Sequence, residues 1–197
     1  KKMSLLAYEN ADMVTCLYDY ARKLQIELGC PAEKIRVTPN GINVEALAGL
    51  PGKTEEEQQF INAGAVLRVT PIKDVKTMIQ AFAFAKKRVK NMKLWIMGPA
   101  DEDEKYAKEC YDLVESLGVK DVEFTGRVNV RDYLGKMDFT LLTSISEGQP
   151  LTILESYAAH KPVITTDVGN CRELIYGNED GFGDAGILTH IMNIEEI

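Results

Sequence analysis

The chain has 197 residues, enough for one domain or for one domain and part of a second. Its composition, 45% hydrophobic and 27% charged, is ordinary for a globular protein with a buried core. The formal net charge of −7 argues against nonspecific nucleic-acid binding, which depends on clustered Lys and Arg. We expect no transmembrane helix, because no apolar run reaches roughly 18 residues.

Short apolar runs recur along the sequence, and several are followed by Gly, Pro or Asn, as strand ends often are. Between them the hydrophobic period becomes helical. Strands that alternate with helices predict an α/β fold with a doubly wound, mostly parallel sheet, whose ligands bind at the carboxyl ends of the strands. The predicted strands are Met13–Leu17, Ile35–Thr38, Ile61–Val66, Leu94–Met97, Val122–Thr125, Phe139–Thr143, Val163–Thr166 and Gly186–Leu188.

Some of the predicted helices have recognisable ends. Asp74 can cap the first of these, whose apolar face is marked by Val75, Met78, Ile79, Phe82 and Val89. The next is predicted from about Asp101 to Leu117, where Gly118 stops it. Another begins near Pro150, which suits a first helical position because it lacks an N–H, and ends near His160.

The sequence does not favour a metal site. The acidic run at residues 101–104 could be a metal cluster, but we interpret it as a solvated first turn that complements the helix dipole. The cysteines fit no zinc-binding spacing, and the chain has only two histidines. We therefore expect reduced thiols at Cys16, Cys30, Cys110 and Cys171.

Two glutamates, Glu147 and Glu155, lie where a predicted strand gives way to a helix. Glu147 is beside Gly148, which lets the backbone approach a ligand closely. Glu155 falls at the flank of the helix's apolar stripe and is expected to be half sheltered. Carboxylates accept hydrogen bonds from hydroxyls and helix N-termini attract anions, so the pair suits a ligand with hydroxyls and a phosphate. An ordinary boundary residue in a surface ion pair is the alternative for either glutamate alone.

Two cations, Arg68 and Lys73, follow the predicted strand Ile61–Val66 and precede a helix. In that position they can hold a diphosphate, Arg through a planar fork and Lys as a mobile point charge. Two solvated loop cations are the alternative.

Glycine turns follow two further strands. The Phe124–Val128 turn has an open backbone that could pair with the edge of a base, although a plain strand-to-helix turn remains an alternative. Gly98–Pro99 is not part of a GxGxxG motif, which gives little support to a dinucleotide site of the dehydrogenase kind.

In this order the motifs resemble those of the retaining glycosyltransferases of family 4, which have the GT-B fold. The likeness covers about residues 61–188. The amino-acid sequences of residues 144–151 and 168–175 further resemble those of glycosyltransferases of the Pel exopolysaccharide system, which are cytoplasmic and use UDP-sugars. The matching motifs are Glu147-x7-Glu155, the Arg68 and Lys73 pair, and Phe124-x-Gly126-Arg127-Val128.

The resemblance implies a role for each of these residues. Glu147 would accept hydrogen bonds from the hydroxyls of the donor sugar, and Glu155 would hold the ribose. Arg68 and Lys73 would neutralise the diphosphate and stabilise it as it leaves. The backbone N–H groups around Gly148, Gln149 and Leu151 would meet the phosphate or sugar. The turn Gly126–Arg127–Val128 would contact uracil, and neither a metal nor another cofactor is expected.

The resemblance also predicts how the chain is organised. A break in composition near residues 49–54 separates a leading segment from the α/β block. We interpret residues 1–45 as the remnant of an N-terminal acceptor domain and the interdomain crossing. Residues 46–197 would be a Rossmann-like donor-binding domain, the C-terminal half of a GT-B fold, and both ends of the chain look cut. His160 departs from the glycine of many relatives, which would be costly in left-handed backbone.

Because a GT-B site is a cleft between two domains, we expect this piece to bind UDP-glucose or UDP-GlcNAc but to turn over poorly without the missing N-terminal domain. The expected location is cytoplasmic, without nucleic-acid partners and in association with a membrane polysaccharide export complex. Two alternatives remain at this point. One is a module that senses a nucleotide or sugar without catalysis, and the other is a domain that binds a different nucleotide or acts as a scaffold.

Overall fold

The computed structural model describes residues 2–177, 181 and 183–197. Short 3₁₀ turns lie at Glu57–Gln59 and Pro71–Lys73. The helices are α1 (Lys2–Asn10), α2 (Asp19–Glu27), α3 (Glu45–Ala48), α4 (Val75–Lys86), α5 (Glu104–Leu117), α6 (Arg131–Leu134), α7 (Leu151–Ala158) and α8 (Cys171–Tyr176). The strands are β1 (Val14–Cys16), β2 (Ile35–Val37), β3 (Ile61–Val66), β4 (Met92–Met97), β5 (Val122–Gly126), β6 (Phe139–Leu142), β7 (Val163–Thr166) and β8 (Gly186–Thr189).

The main sheet has six strands in the order β5-β4-β3-β6-β7-β8, and every pairing in it is parallel. Strand β3 is the first strand of this sheet in the chain. Strands β4 and β5 lie on one side of it, and β6, β7 and β8 lie on the other side. The order therefore reverses between β3 and β6, and ligands of such sheets bind at the carboxyl ends of the strands beside that reversal. The predicted doubly wound α/β fold is confirmed.

The core of this sheet explains why the strands were recognisable in the sequence. Ala63, Ala65, Leu94 and Ile96 of β3 and β4 are fully buried, as strands covered on both faces must be. One face of α4 packs on them, and truncating a buried side chain such as Ile79 to Ala would cost about 2–5 kcal/mol. The packed core thus fixes the positions of the carboxyl ends of these strands.

The leading segment forms a second, smaller sheet. Strands β1 and β2 pair in parallel, and Cys16, Cys30 and Ile35 make up the buried part of its own core. Farther along the chain, Leu47 of α3 packs instead against Leu134 and the end of α7, in the main block. The division of the chain at residues 45 and 46 between two domains stays a prediction.

Several predicted helix details need correction. Helix α4 ends at Lys86, so Val89 lies beyond it. Helix α5 begins at Glu104 with Asp103 as its N-cap, which leaves the earlier acidic residues outside the first turn. Pro150 is the extended N-cap residue of α7 rather than its first helical residue.

One other local expectation is confirmed. Asp74 caps α4, since its side chain accepts a hydrogen bond from the Thr77 N–H at 3.4 Å. His160 has φ 59°, the left-handed backbone that His adopts at a cost. The four cysteines are buried, and none of them forms a disulfide. Within the described residues, no helix combines the length and the apolar composition needed to cross a membrane.

Candidate functional site

Two loops meet at the reversal of strand order, one after β3 and one after β6. The N–H of Ile145 donates to the Ile72 carbonyl at 2.9 Å. The buried hydroxyl of Thr143 lies 3.0 Å from the Lys73 carbonyl and 3.1 Å from the Asp74 carbonyl, so it can donate to either. These contacts fix the two loops relative to each other and so fix the side chains that they carry.

The two loops bring Lys73 and Glu147 together. The Lys73 Nζ lies 2.5 Å from a Glu147 carboxylate oxygen, and the Ser144 hydroxyl donates to the same oxygen at 2.6 Å. The side chains of Lys73 and Glu147 are only 17% and 12% exposed. A charge pair this sheltered keeps most of its attraction, because little water screens it.

The Glu147 loop rests on Gly169, which follows β7. Gly169 has φ 56°, and a Cβ at this position would lie 2.2 Å from the Glu147 carbonyl oxygen. The N–H of Asn170 donates to the Gly148 carbonyl at 2.8 Å. In the described part of the chain, no group accepts a hydrogen bond from the N–H of Gly148 or of Gln149. Gly169 and Asn170 therefore fix the position of the loop, and the N–H groups of Gly148 and Gln149 remain available to an anion.

Gln149 connects this loop to the segment after β2. Its side-chain oxygen accepts from the Asn40 N–H at 2.6 Å, and its carbonyl accepts from the Asn40 amide at 2.9 Å. These two bonds join residues 109 positions apart in the chain. The Asn40 segment is thereby placed against the start of α7.

Glu155 lines a separate cleft of about 430 Å³. Burial raises the pKa of its carboxyl group above the ordinary value of 4.5. Among the described residues none forms a hydrogen bond or ion pair with this carboxylate. The cleft walls are Gly41, Ile42, Asn43, Leu47, Val128, Asn129, Val130, Arg131 and Leu151. The structure thus places Val128 and Glu155, predicted for uracil and ribose, in one cleft with Leu151, which was predicted at the phosphate or sugar. These roles stay predictions.

Two predicted residues point elsewhere in this structure. The Arg68 guanidinium pairs with Glu102 at 2.8 Å rather than lying beside Lys73. The Arg127 guanidinium lies 3.2 Å from Asp101, and both side chains are exposed. Gly126 does have the expected open backbone, with φ 68°, and its carbonyl accepts from the Gly98 N–H at 3.0 Å.

Sequence reasoning missed the residues that support the site. Thr143 and Ser144 were assigned to the end of a strand and the start of the loop, without a role. The Asn40–Asn43 segment was taken only as part of an interdomain crossing. Its Asn-Gly pair was a visible turn signal, but nothing in the spacing links it to Gln149.

No metal centre is evident in what the structure describes, since no three His, Cys, Asp or Glu side chains cluster there. The absence of a metal requirement stays a prediction. A separate groove of about 650 Å³ lies at the opposite, amino edge of the main sheet, where Phe84, Lys87 and Leu117 line it. It contains none of the predicted site residues.

The family described as Glycosyl transferases group 1 matches residues 57–196. The chain belongs to this family. It is 30% identical over 177 residues to the amylovoran biosynthesis glycosyltransferase AmsK of Erwinia amylovora, a match that covers 85% of this chain and 43% of that protein. It is 28% identical over 172 residues to the alpha-monoglucosyldiacylglycerol synthase of Streptococcus pneumoniae, covering 79% and 37%. The chain spans less than half the length of these curated relatives.

Solved structures show the same fold. HepE of Anabaena, in complex with UDP and glucose, superposes with a TM-score of 0.80 at 22% identity, covering 97% of this chain and 52% of HepE. Sucrose-phosphate synthase of Thermosynechococcus elongatus gives a TM-score of 0.79 at 18% identity, covering 99% and 49%. The main sheet is therefore the Rossmann-like part of a GT-B fold.

Proposed function

We propose that this chain binds the UDP-sugar donor of a retaining glycosyltransferase of family 4. The observation that carries the proposal is the sheltered Lys73–Glu147 pair at the reversal of strand order, beside the cleft that holds Glu155. HepE, whose fold this chain shares, has been solved with UDP and with UDP-glucose. The donor proposed here is accordingly UDP-glucose or UDP-GlcNAc.

The diphosphate would lie between Lys73 and the loop that begins α7. Lys73 supplies a positive charge there, and the N–H groups of Gly148 and Gln149 supply two donors. Arg68 would join them by leaving Glu102, which is inexpensive because both partners are exposed and such pairs contribute at most about 1 kcal/mol. These cations take the role that a metal would otherwise have.

Ribose and uracil would occupy the Glu155 cleft. The Glu155 carboxylate is desolvated without a partner, so two ribose hydroxyls that donate to it would offset an unfavourable term already present in the free protein. Val128 and its neighbours form the wall where a base edge can pair with backbone groups. An unpartnered, half-buried carboxylate is what a polyol site needs before its ligand arrives.

During transfer, the bond between the anomeric carbon and the diphosphate breaks as the acceptor oxygen bonds to that carbon, and the acceptor proton passes to an oxygen of the leaving diphosphate. Lys73 and Arg68 would stabilise the negative charge that develops on the leaving diphosphate. Glu147, already oriented by Ser144, would hold hydroxyls of the sugar. We place the full protein in cytoplasmic exopolysaccharide synthesis of the Pel kind, in line with relatives such as AmsK, which is named for amylovoran biosynthesis.

Calorimetric titration of the chain with UDP, UDP-glucose and ADP tests the donor site. We expect UDP and UDP-glucose to bind, ADP to bind more weakly, and Glu155→Gln to weaken UDP by about tenfold through its two lost charge-assisted bonds. Glu115→Gln, an exposed glutamate on α5, is the matched control and should leave UDP affinity unchanged. Equal affinities for UDP and ADP, or an unaffected Glu155→Gln variant, would rule the assignment out. Sugar transfer by the full-length protein would separate an enzyme from a sensor.

A further inference from the structure

Asn40 and Gln149 are joined by two reciprocal hydrogen bonds, and we call them the Asn40–Gln149 pair. The Asn40 N–H donates to the side-chain oxygen of Gln149 at 2.6 Å, and the Asn40 side-chain amide donates to the Gln149 carbonyl at 2.9 Å. Each residue therefore contributes one backbone group and one side-chain group. The pair fixes the backbone of Gln149 at the end of the Glu147 loop, together with the orientation of its side chain.

The backbone at Gly148 and Gln149 is not fixed by local sterics alone. Gly148 has no Cβ, so it can adopt many backbone conformations. Pro150 restricts the residue before it to extended backbone, but it has no N–H with which to make a further bond. Hydrogen bonds from other parts of the chain must therefore hold this loop. They come from the Asn170 N–H, which donates to the Gly148 carbonyl at 2.8 Å, and from Asn40.

These bonds determine where the N–H group of Gln149 points. A trans peptide group is planar, and its carbonyl and its N–H point in opposite directions. Because the Gly148 carbonyl is bonded to Asn170, the Gln149 N–H of the same peptide group points away from Asn170. Asn40 holds the next carbonyl, that of Gln149 itself. Removing the Asn40 amide would release that side of the residue and let the peptide group turn.

The orientation of these N–H groups matters most for one phosphate. In the donor site proposed above, Glu147 holds the sugar and Glu155 holds the ribose. Gly148 and Gln149 directly follow Glu147, so their N–H groups lie at the sugar end of the diphosphate. Hydrogen bonds to a charged phosphate are the stronger kind, and they weaken steeply when the donor is misaligned. Binding of the β-phosphate should therefore depend on the contacts that orient these two donors.

We propose that Asn40 is a positioning residue for the β-phosphate of the donor, acting through Gln149. Asn40 does not itself contact the donor in this proposal. It holds the backbone so that the N–H groups of Gly148 and Gln149 keep the orientation that one phosphate requires. The role rests on the proposed donor site. It also makes the leading segment part of that site, since Gly41, next to Asn40, lines the Glu155 cleft.

Calorimetric titration with UDP and with UMP tests this role, because UMP has the same nucleoside but lacks the β-phosphate. Asn40→Ala removes the side-chain donor of the pair. We expect it to weaken UDP binding about tenfold and UMP binding by no more than about twofold. Asn91→Ala is the matched control, because the Asn91 amide also donates to a carbonyl of another segment, that of Gln59, at 2.7 Å. Asn91 lies just before β4, at the amino edge of the sheet, and its loss should leave both affinities unchanged.

A second variant tests the other end of the pair. Gln149→Leu removes the oxygen that accepts from the Asn40 N–H while nearly keeping the side-chain volume. It should also weaken UDP about tenfold and leave UMP binding within about twofold. The two changes act on one interaction, so the double variant should lose far less than the roughly hundredfold expected of independent sites. Retained UMP binding shows that each variant has folded.

Three results would overturn the positioning role and leave the donor site standing. They are equal losses of UDP and UMP affinity in Asn40→Ala, unchanged UDP affinity in both single variants, and a double variant whose loss equals the product of the single losses. If the unaltered chain binds neither UDP nor UMP, the donor site is refuted, and the role of Asn40 is refuted with it.

Discussion

The two glutamates of the site have opposite electrostatic environments, since one carboxylate is paired and the other is not. Glu147 is sheltered, accepts from Lys73 and Ser144, and is fixed by a loop that rests on Gly169. Glu155 is sheltered too, but no described residue pairs with it, and burial raises the pKa of its carboxyl group. One carboxylate is stabilised by the protein, and the other is left for a ligand to stabilise.

A donor site has two requirements, and each of the two glutamates meets one of them. The group beside the reacting sugar must be held in one orientation, and preorganised contacts supply that. The group that recognises ribose gains from being unsatisfied, because the ligand then relieves an existing cost. Fold stability should therefore depend on the Lys73–Glu147 pair, whereas ligand affinity should depend more steeply on Glu155.

The largest effect on stability is expected from Lys73→Met. This change leaves the Glu147 charge buried without its cation, which should cost about 3 kcal/mol of unfolding free energy. Urea denaturation measures it, and Lys108→Met is the control, since Lys108 pairs with Asp112 on an exposed helix surface and should cost under about 0.5 kcal/mol. Adding Glu147→Gln to Lys73→Met should recover most of the loss. Equal losses for the two lysines would remove the claimed contrast between sheltered and exposed pairs.

A smaller loss is expected from Gly169→Ala. The new methyl group meets the Glu147 and Gly148 carbonyls in left-handed backbone, so we expect about 2–3 kcal/mol of destabilisation and weaker UDP-glucose binding. Gly118→Ala is matched to it, with φ 58° against 56° but open space around the new methyl. That control should lower the unfolding free energy by about 1 kcal/mol and leave UDP-glucose binding intact. If both variants bind the donor equally well, the Glu147 loop does not depend on Gly169.

The smallest expected effect is the change in stability caused by Glu155→Gln, and the sign of that change distinguishes an unpaired carboxylate from a paired one. Because the pKa of Glu155 is raised in the folded state, the folded protein holds this proton more tightly than the unfolded chain. The contribution to stability is present at low pH and is lost as pH rises from about 4.5 through the folded pKa. The amide variant avoids that loss, so its Tm should exceed that of the unaltered chain at pH 7.5 and match it at pH 4. A lower Tm at pH 7.5 would mean that Glu155 has a stabilising partner.

Much of the framework was predictable because its signals are local. The ends of β3 and β7 agree with the sequence, since the buried residues of parallel strands are mainly apolar or β-branched. Asp74 was recognised as a cap from its position alone. From the resemblance, His160 was expected to be costly only if its backbone were left-handed, and its φ of 59° meets that condition.

The remaining details depend on contacts between distant parts of the chain. Arg68 turns to Glu102 because β3 and β4 are neighbours in the sheet, so the loops that follow them meet. Asn40 reaches Gln149 only after the leading segment has docked. Short helices such as α3, α6 and α8 have too few residues to show a hydrophobic period. Val89 fitted the period of α4, but the helix ends before it.

A crystal structure of the chain with UDP-glucose would test the central claim most directly. We predict a diphosphate within hydrogen-bond distance of Lys73 and of the Gly148 and Gln149 N–H groups, with the ribose hydroxyls on Glu155. The glucose should lie against Glu147. A nucleotide bound in the amino-edge groove beside Phe84 and Lys87, or a ribose away from Glu155, would contradict the account.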